Sequence, residues 1–76
     1  MDNNFIPLDA DHLGHMYTVI TEYHEWVNKR VERAELSTMD FGFEKYQIGY
    51  MQARVELGLL TADDVEKIQD WEVAMQ

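Results

Sequence analysis

The sequence predicts an all-α fold, a small three-helix domain with a long first helix, and it is compatible with a dimer. Three features carry this prediction. Apolar residues recur every three or four positions over residues 13–34, as on one face of a helix. Two Ser/Thr-x-x-Asp sequences, beginning at Ser37 and Thr61, have the form of helix N-terminal caps. The 76 residues include one proline, Pro7, so little interrupts the helical pattern, and we expect one domain over residues 1–76.

The first helix is expected to span about residues 9–36, after an N-terminal arm over residues 1–8. At 1.5 Å per residue such a helix is about 40 Å long, whereas a compact chain of this length is about 30 Å across. Part of it should therefore protrude, unless the helix breaks near residues 28–30. We expect a second copy or another protein to cover the protruding part. The oligomer interface is predicted at three residues of the apolar stripe: Tyr23, Val27 and Val31.

The second helix is expected over about residues 38–57, after a cap at Ser37. Its apolar residues cover a wide arc, which predicts that it packs against two partners. The two adjoining stripes consist of Phe41, Ile48, Met51 and Val55, and of Phe43, Tyr46, Tyr50 and Leu57. Gly42, Gly49 and Ala53 share a face, where small side chains would let another helix approach closely.

The third helix is expected over about residues 61–75. Gly58 is placed to end the preceding helix in a left-handed conformation, and Thr61 with Asp64 has the spacing of a capping box. Asp63 and Asp64 also lie at the positive end of the helix dipole, where carboxylates are stabilising. Stop and restart signals therefore mark the boundary between the second and third helices.

The charge balance is strongly acidic, with 15 Asp and Glu against 6 Lys and Arg and a formal net charge of −9. This charge repels phosphate groups, so we expect no direct binding to nucleic acid or to an anionic membrane surface. The chain has no cysteine, which excludes disulfides and thiolate metal sites. We expect a cytoplasmic location, because the first residues lack the pattern of a signal peptide and no apolar run approaches the ~20 residues of a membrane span.

No residue pattern indicates an enzyme or a bound cofactor. Residues 9–14 resemble the start of a calcium loop, but Leu13 and Ile20 stand where that loop needs oxygen ligands. His12 and His15 can share a helix face, yet a closed zinc site needs four ligands, so they could bind a metal only across a dimer. The one serine lies in a predicted turn, and no glycine-rich phosphate loop is present. We therefore expect no catalytic residues, no metal site and no cofactor.

Charged and aromatic residues indicate protein binding instead. In the third helix Asp63, Glu66 and Asp70 form an acidic row with one lysine beside it. Such a row can imitate a phosphate backbone or steer the chain to a basic surface. The two Trp, four Tyr and three Phe residues exceed what a thin three-helix core buries. We expect Trp26 and Trp71 to be partner-binding residues together with the acidic row, since aromatic residues ringed by charge are typical interface anchors.

We therefore expect a small acidic helical module that inhibits a larger protein by occupying its basic, nucleic-acid-binding surface. Its composition is similar in type, although in no motif, to that of inhibitors encoded by viruses and mobile elements. Two other interpretations stay open. In one, the acidic row serves solubility alone. In the other, the chain is a structural or adaptor subunit that homo-oligomerises through the first helix.

Overall fold

A computed structural model describes residues 4–76, which form three α-helices: α1 over Ala10–Glu32, α2 over Thr38–Leu57 and α3 over Ala62–Ala74. α1 packs against both α2 and α3, and the predicted small all-α fold is confirmed. The domain measures 39 × 27 × 18 Å along its principal axes. Within the described part of the chain, no helix combines the length and the apolar character that crossing a membrane requires.

Each helix begins at a capping side chain, Asp9 for α1 and the predicted caps Ser37 and Thr61 for α2 and α3. The Asp9 carboxylate accepts a hydrogen bond from the backbone N–H of His12 at 2.9 Å. The Ser37 and Thr61 hydroxyls accept from the backbone N–H groups three residues further on, at 3.1 and 3.3 Å. The Asp64 carboxylate completes a capping box by accepting from the Thr61 N–H at 3.0 Å. These side chains satisfy backbone donors that have no partner inside their own helix.

α1 ends before the predicted position, in a left-handed turn at Ala34, whose φ is 61°. The backbone N–H of Glu35 donates to the Arg30 carbonyl at 2.8 Å, and that of Ala34 donates to the Val31 carbonyl at 3.0 Å. This pair of hydrogen bonds is a Schellman motif, which usually carries glycine at the left-handed position. Because alanine gives no such signal in the sequence, the predicted end near residue 36 is wrong.

α1 is shorter than predicted and has no break. Its 23 residues span about 35 Å at 1.5 Å per residue, nearly the whole 39 Å long axis of the domain. The helix runs unbroken through residues 28–30, so the alternative of a break is wrong. The expected cover of a protruding end by a partner stays a prediction.

α2 ends in the same motif, here with glycine in the left-handed position as predicted. Gly58 has a φ of 71°, and the N–H of Leu59 donates to the Arg54 carbonyl at 2.9 Å. The N-terminal arm crosses the link that follows, where the N–H of Ile6 donates to the Leu60 carbonyl at 2.8 Å. Since Leu60 is fully buried, this link is part of the core.

The core lies between α1 and the other two helices. α1 supplies five buried apolar residues, α2 three, α3 two and the α2–α3 link one, so α1 is the central element. The buried residues are Met16, Val19, Ile20, Tyr23, Val27, Ile48, Met51, Val55, Leu60, Ile68 and Trp71.

Candidate interaction surfaces

The outer side of α3 carries the acidic row. Asp63, Glu66 and Asp70 are all exposed, and their spacing of three and four residues places them on one face of the helix. Within residues 4–76 none of the three forms an ion pair. These three residues are called the acidic face below.

The other two carboxylates of α3 are used inside the chain. Asp64 Oδ2 lies 3.0 Å from Arg54 Nε, and Glu72 Oε2 lies 3.5 Å from His15 Nε2. These contacts join α3 to α2 and to α1. The acidic face makes no comparable contact, so its charge is available to a partner.

The acidic face has a charge spacing close to that of a nucleic acid strand. Its three carboxylates fall within about 11 Å along the helix axis, at 1.5 Å per residue. One strand of DNA carries a charge about every 3.4 Å along its axis, hence about three in that length. The same side of α3 continues to Val73, whose side chain is 66% exposed. A partner that contacts the carboxylates would therefore also meet an apolar side chain.

The two tryptophans predicted as partner-binding residues are engaged within the chain. Trp71 is 5% exposed, and its ring is stacked on that of Tyr23, with centroids 4.5 Å apart and planes inclined by 3°. Little of the Trp71 side chain is therefore available to a partner, and its partner-binding role stays a prediction. Trp26 is half-buried. Its ring is stacked on Tyr23 at 5.5 Å and lies under the guanidinium of Arg30 at 5.0 Å, so only part of its surface is free.

Two of the three residues predicted to form an oligomer interface on α1 lie in the core. Tyr23 and Val27 are 5% and 0% exposed, and Val31 is half-buried. The Tyr23 hydroxyl donates to Glu44 Oε2 at 2.7 Å. Burial, followed by the hydrogen bond to Glu44, raises the pKa of Tyr23 well above its ordinary value, because both disfavour the phenolate. Tyr23 and Val27 pack inside the single chain and so present little surface to a second copy, and the role of Val31 in an oligomer interface stays a prediction.

The outer side of α2 carries an apolar stripe that the sequence identifies in large part but predicts to be buried, whereas it is exposed. Among the described residues, five of the nine large apolar side chains that remain exposed lie on this helix. They are called the α2 stripe and consist of Met39, Phe43, Tyr46, Tyr50 and Leu57. The first four are separated by four, three and four residues, which is the spacing of a helix-pairing seam. That spacing shows that the stripe is continuous along α2, but it does not show which side of the helix meets the core.

Only one face of α2 is covered by the rest of the chain. Ile48, Met51 and Val55 face the core, on the side of the helix opposite the α2 stripe. A Cβ atom at Gly42 or Gly49 would meet nothing within 4 Å. The expected close approach of a second helix at these glycines, and the expected second packing partner, are therefore not found within the described chain.

A groove of about 440 Å³ runs between α2 and the start of α3. Tyr46 and Tyr50 line it from α2, and Asp63 and Lys67 line it from α3. The Tyr50 hydroxyl also accepts a hydrogen bond from Arg54 Nη1 at 3.0 Å. The groove therefore joins the α2 stripe to the acidic face.

The two histidines near the start of α1 contact different carboxylates. His12 Nδ1 lies 2.7 Å from Asp9 Oδ1, whereas His15 is directed to Glu72 on α3. Hydrogen bonds from the backbone N–H and then from the ring of His12 hold the pKa of Asp9 below its ordinary value, because they favour the carboxylate. Within residues 4–76, no three His, Asp or Glu side chains are grouped as ligands of one metal ion.

Comparisons of the chain with protein families, with curated proteins and with solved structures find no match in any of the three. Two surfaces of the described chain are candidates for binding, the acidic face on α3 and the apolar stripe on α2.

Proposed function

We propose that the protein is a binding module that occupies the basic, nucleic-acid-binding surface of a larger protein and so inhibits it. The observation that carries the proposal is the acidic face, three exposed carboxylates on one side of α3 that form no ion pair within residues 4–76. The net charge of −9 adds a field that attracts a basic surface, with a range of about 8–10 Å at physiological ionic strength.

Inhibition follows from competition for the same cations. A surface that binds nucleic acid presents Lys and Arg side chains to phosphates. Carboxylates form charge-assisted hydrogen bonds with those side chains, and the acidic face offers them at nearly the density of a phosphate strand. A partner whose cations are paired with α3 is therefore unable to hold nucleic acid at that place.

Apolar contact has to supply part of the affinity. Exposed ion pairs contribute only about 0–1 kcal/mol each, so three such pairs account for a weak complex. Val73 is 66% exposed on the same side of α3. We assign the carboxylates to steering and orientation, and Val73 to the apolar contact beside them.

The experiment that tests the proposal is reversal of the acidic face by Asp63→Lys, Glu66→Lys and Asp70→Lys in one variant. The tagged variant and the unmodified protein are used to capture proteins from nuclease-treated lysate of the source cells, at low and at high salt. Mass spectrometry then identifies what is bound. We expect the unmodified protein to capture nucleic-acid-binding proteins at low salt. Both the charge reversal and high salt should abolish this capture.

A matched control separates the acidic face from net charge. Glu22, Glu25 and Glu32 are exposed on α1, and their replacement by Lys changes the net charge by the same amount, from −9 to −3, because each reversal adds two charges. This control should retain the captured proteins. Capture of the same proteins by the acidic-face variant, or recovery of nothing but the protein itself, would contradict the proposal.

A further inference from the structure

We infer that the α2 stripe is the interface of a homodimer, in which α2 of one copy packs antiparallel against α2 of a second copy. This inference goes beyond the proposed function, because it concerns a different helix and a different partner. It does not depend on whether the acidic face binds a basic protein.

The stripe has the pattern of a helix that pairs with another helix. With Ala53 included, its positions are 39, 43, 46, 50, 53 and 57, separated alternately by four and three residues. This alternation marks the a and d positions of a heptad repeat, and it continues for about 27 Å at 1.5 Å per residue. None of the six positions is charged, in a chain with 15 acidic and 6 basic side chains.

The exposed area of the stripe suits a second copy of the chain. The five large side chains are between 50% and 83% exposed. With about 200 Å² for each fully exposed side chain, they present about 700 Å² per copy, more than the ~300–600 Å² of the largest patch on a typical monomer. Two copies together bring about 1,400 Å², within the ~1,200–2,000 Å² that specific interfaces bury.

Antiparallel pairing matches large side chains with small ones. In an antiparallel pair each a position meets a d position of the other helix. The resulting layers are Met39 with Leu57, Phe43 with Ala53, and Tyr46 with Tyr50. A parallel pair would instead set Phe43 against Phe43 and Ala53 against Ala53, which crowds one layer and leaves a void in another. The side-chain volumes therefore favour the antiparallel arrangement.

The charges beside the stripe are complementary in the same arrangement. Asp40 and Arg54 lie on one flank, and antiparallel pairing brings Asp40 of each copy next to Arg54 of the other. Arg54 uses Nε for Asp64 and Nη1 for Tyr50, which leaves Nη2 for the second copy. A parallel pair would set Arg54 beside Gly49, where no charge is available. Two intermolecular ion pairs thus specify the orientation.

The opposite flank of the stripe carries glycine at two of its three positions and Glu56 at the third. Gly42 and Gly49 lie there, and a Cβ at either would meet nothing within 4 Å in the single chain. Glycine lowers the stability of a helix relative to alanine, and packing within the chain does not offset this loss. Close approach of a second α2 backbone gives these glycines a role.

The first test is the mass of the full-length protein in solution over a wide range of concentrations, measured by sedimentation velocity. We expect a concentration-dependent shift from the chain mass of 9.0 kDa to about 18 kDa, twice that value. The Phe43→Glu variant should be a monomer, with the dimer dissociation constant raised at least tenfold. Val73→Glu is the matched control, because Val73 is exposed to almost the same extent, 66% against 65%, and lies on α3.

Helix content from circular dichroism shows that each variant is folded, and Tyr46→Lys replaces Phe43→Glu if the latter is not. A mass of 9.0 kDa for the unmodified chain at every concentration would overturn the inference. Equal dimerisation of the Phe43→Glu and Val73→Glu variants would also overturn the inference, because the interface would then lie outside the α2 stripe.

The orientation is tested by disulfide cross-linking, because the chain has no cysteine of its own. Under oxidation, a mixture of Met39→Cys chains and Leu57→Cys chains should form the mixed disulfide. Leu57→Cys chains alone should remain uncross-linked. Efficient cross-linking of Leu57→Cys chains to one another, without the mixed product, would overturn the antiparallel arrangement.

Discussion

Replacement of Ala34 by glycine should stabilise the protein, although the same change inside a helix destabilises. Ala34 has a φ of 61°, a conformation that costs an L-residue about 1–2 kcal/mol. Glycine removes that cost but loses about 0.5–1 kcal/mol more conformational entropy on folding than alanine. The expected net effect of Ala34→Gly is therefore a gain of about 0.5–1 kcal/mol in the free energy of unfolding.

The end of α2 provides the reverse experiment. Gly58 occupies the same position of the same motif, with a φ of 71°, so Gly58→Ala should lose about 0.5–1 kcal/mol. Urea unfolding followed by circular dichroism at one fixed protein concentration measures both variants. A loss of stability in Ala34→Gly would refute the reasoning, because it would mean that residue 34 is not held in a left-handed turn.

Two further predictions concern the core. Burial and Glu44 raise the pKa of Tyr23, so the stability that neutral Tyr23 contributes is complete below the ordinary tyrosine pKa of about 10 and is lost as the pH rises above it. The midpoint of urea unfolding should therefore decline between about pH 8 and about pH 11, and Tyr23→Phe should make this decline shallower. An unchanged decline in Tyr23→Phe would contradict the assignment. Leu60→Ala should lower the free energy of unfolding by about 2–5 kcal/mol, since Leu60 is 0% exposed. Leu59→Ala, at a site that is 40% exposed, should lower it by less than about 1 kcal/mol. Equal losses in urea unfolding would show that Leu60 is not a core residue.

The helix boundaries could be predicted wherever a side chain or a glycine signals them. Ser37, Thr61 and Gly58 lie at the ends that the sequence predicts, because capping hydroxyls and left-handed glycines are local features. The end of α1 escaped prediction because Ala34 takes the glycine conformation without the glycine signal. Tertiary packing and the hydrogen bond from Glu35 to Arg30 hold that turn, and neither is visible in local sequence.

The inward and outward faces were harder to predict than the helices. Spacing identifies apolar stripes on a helix, but it does not say which stripe meets the core. For this reason α2 was expected to bury both stripes, whereas Phe43 and Tyr46 are exposed. Trp71 lies among acidic residues in the sequence, yet it follows Ile68 by three residues, and both lie on the inner side of α3. The acidic face itself could be found from spacing alone.

Competition between the protein and nucleic acid tests the central claim most directly. A nucleic-acid-binding partner identified by capture is loaded with labelled nucleic acid, and the protein is titrated in while fluorescence anisotropy is recorded. The protein should release the nucleic acid, and the variant with Asp63, Glu66 and Asp70 reversed to Lys should not. A stable complex that contains the partner, the nucleic acid and the protein together would contradict it.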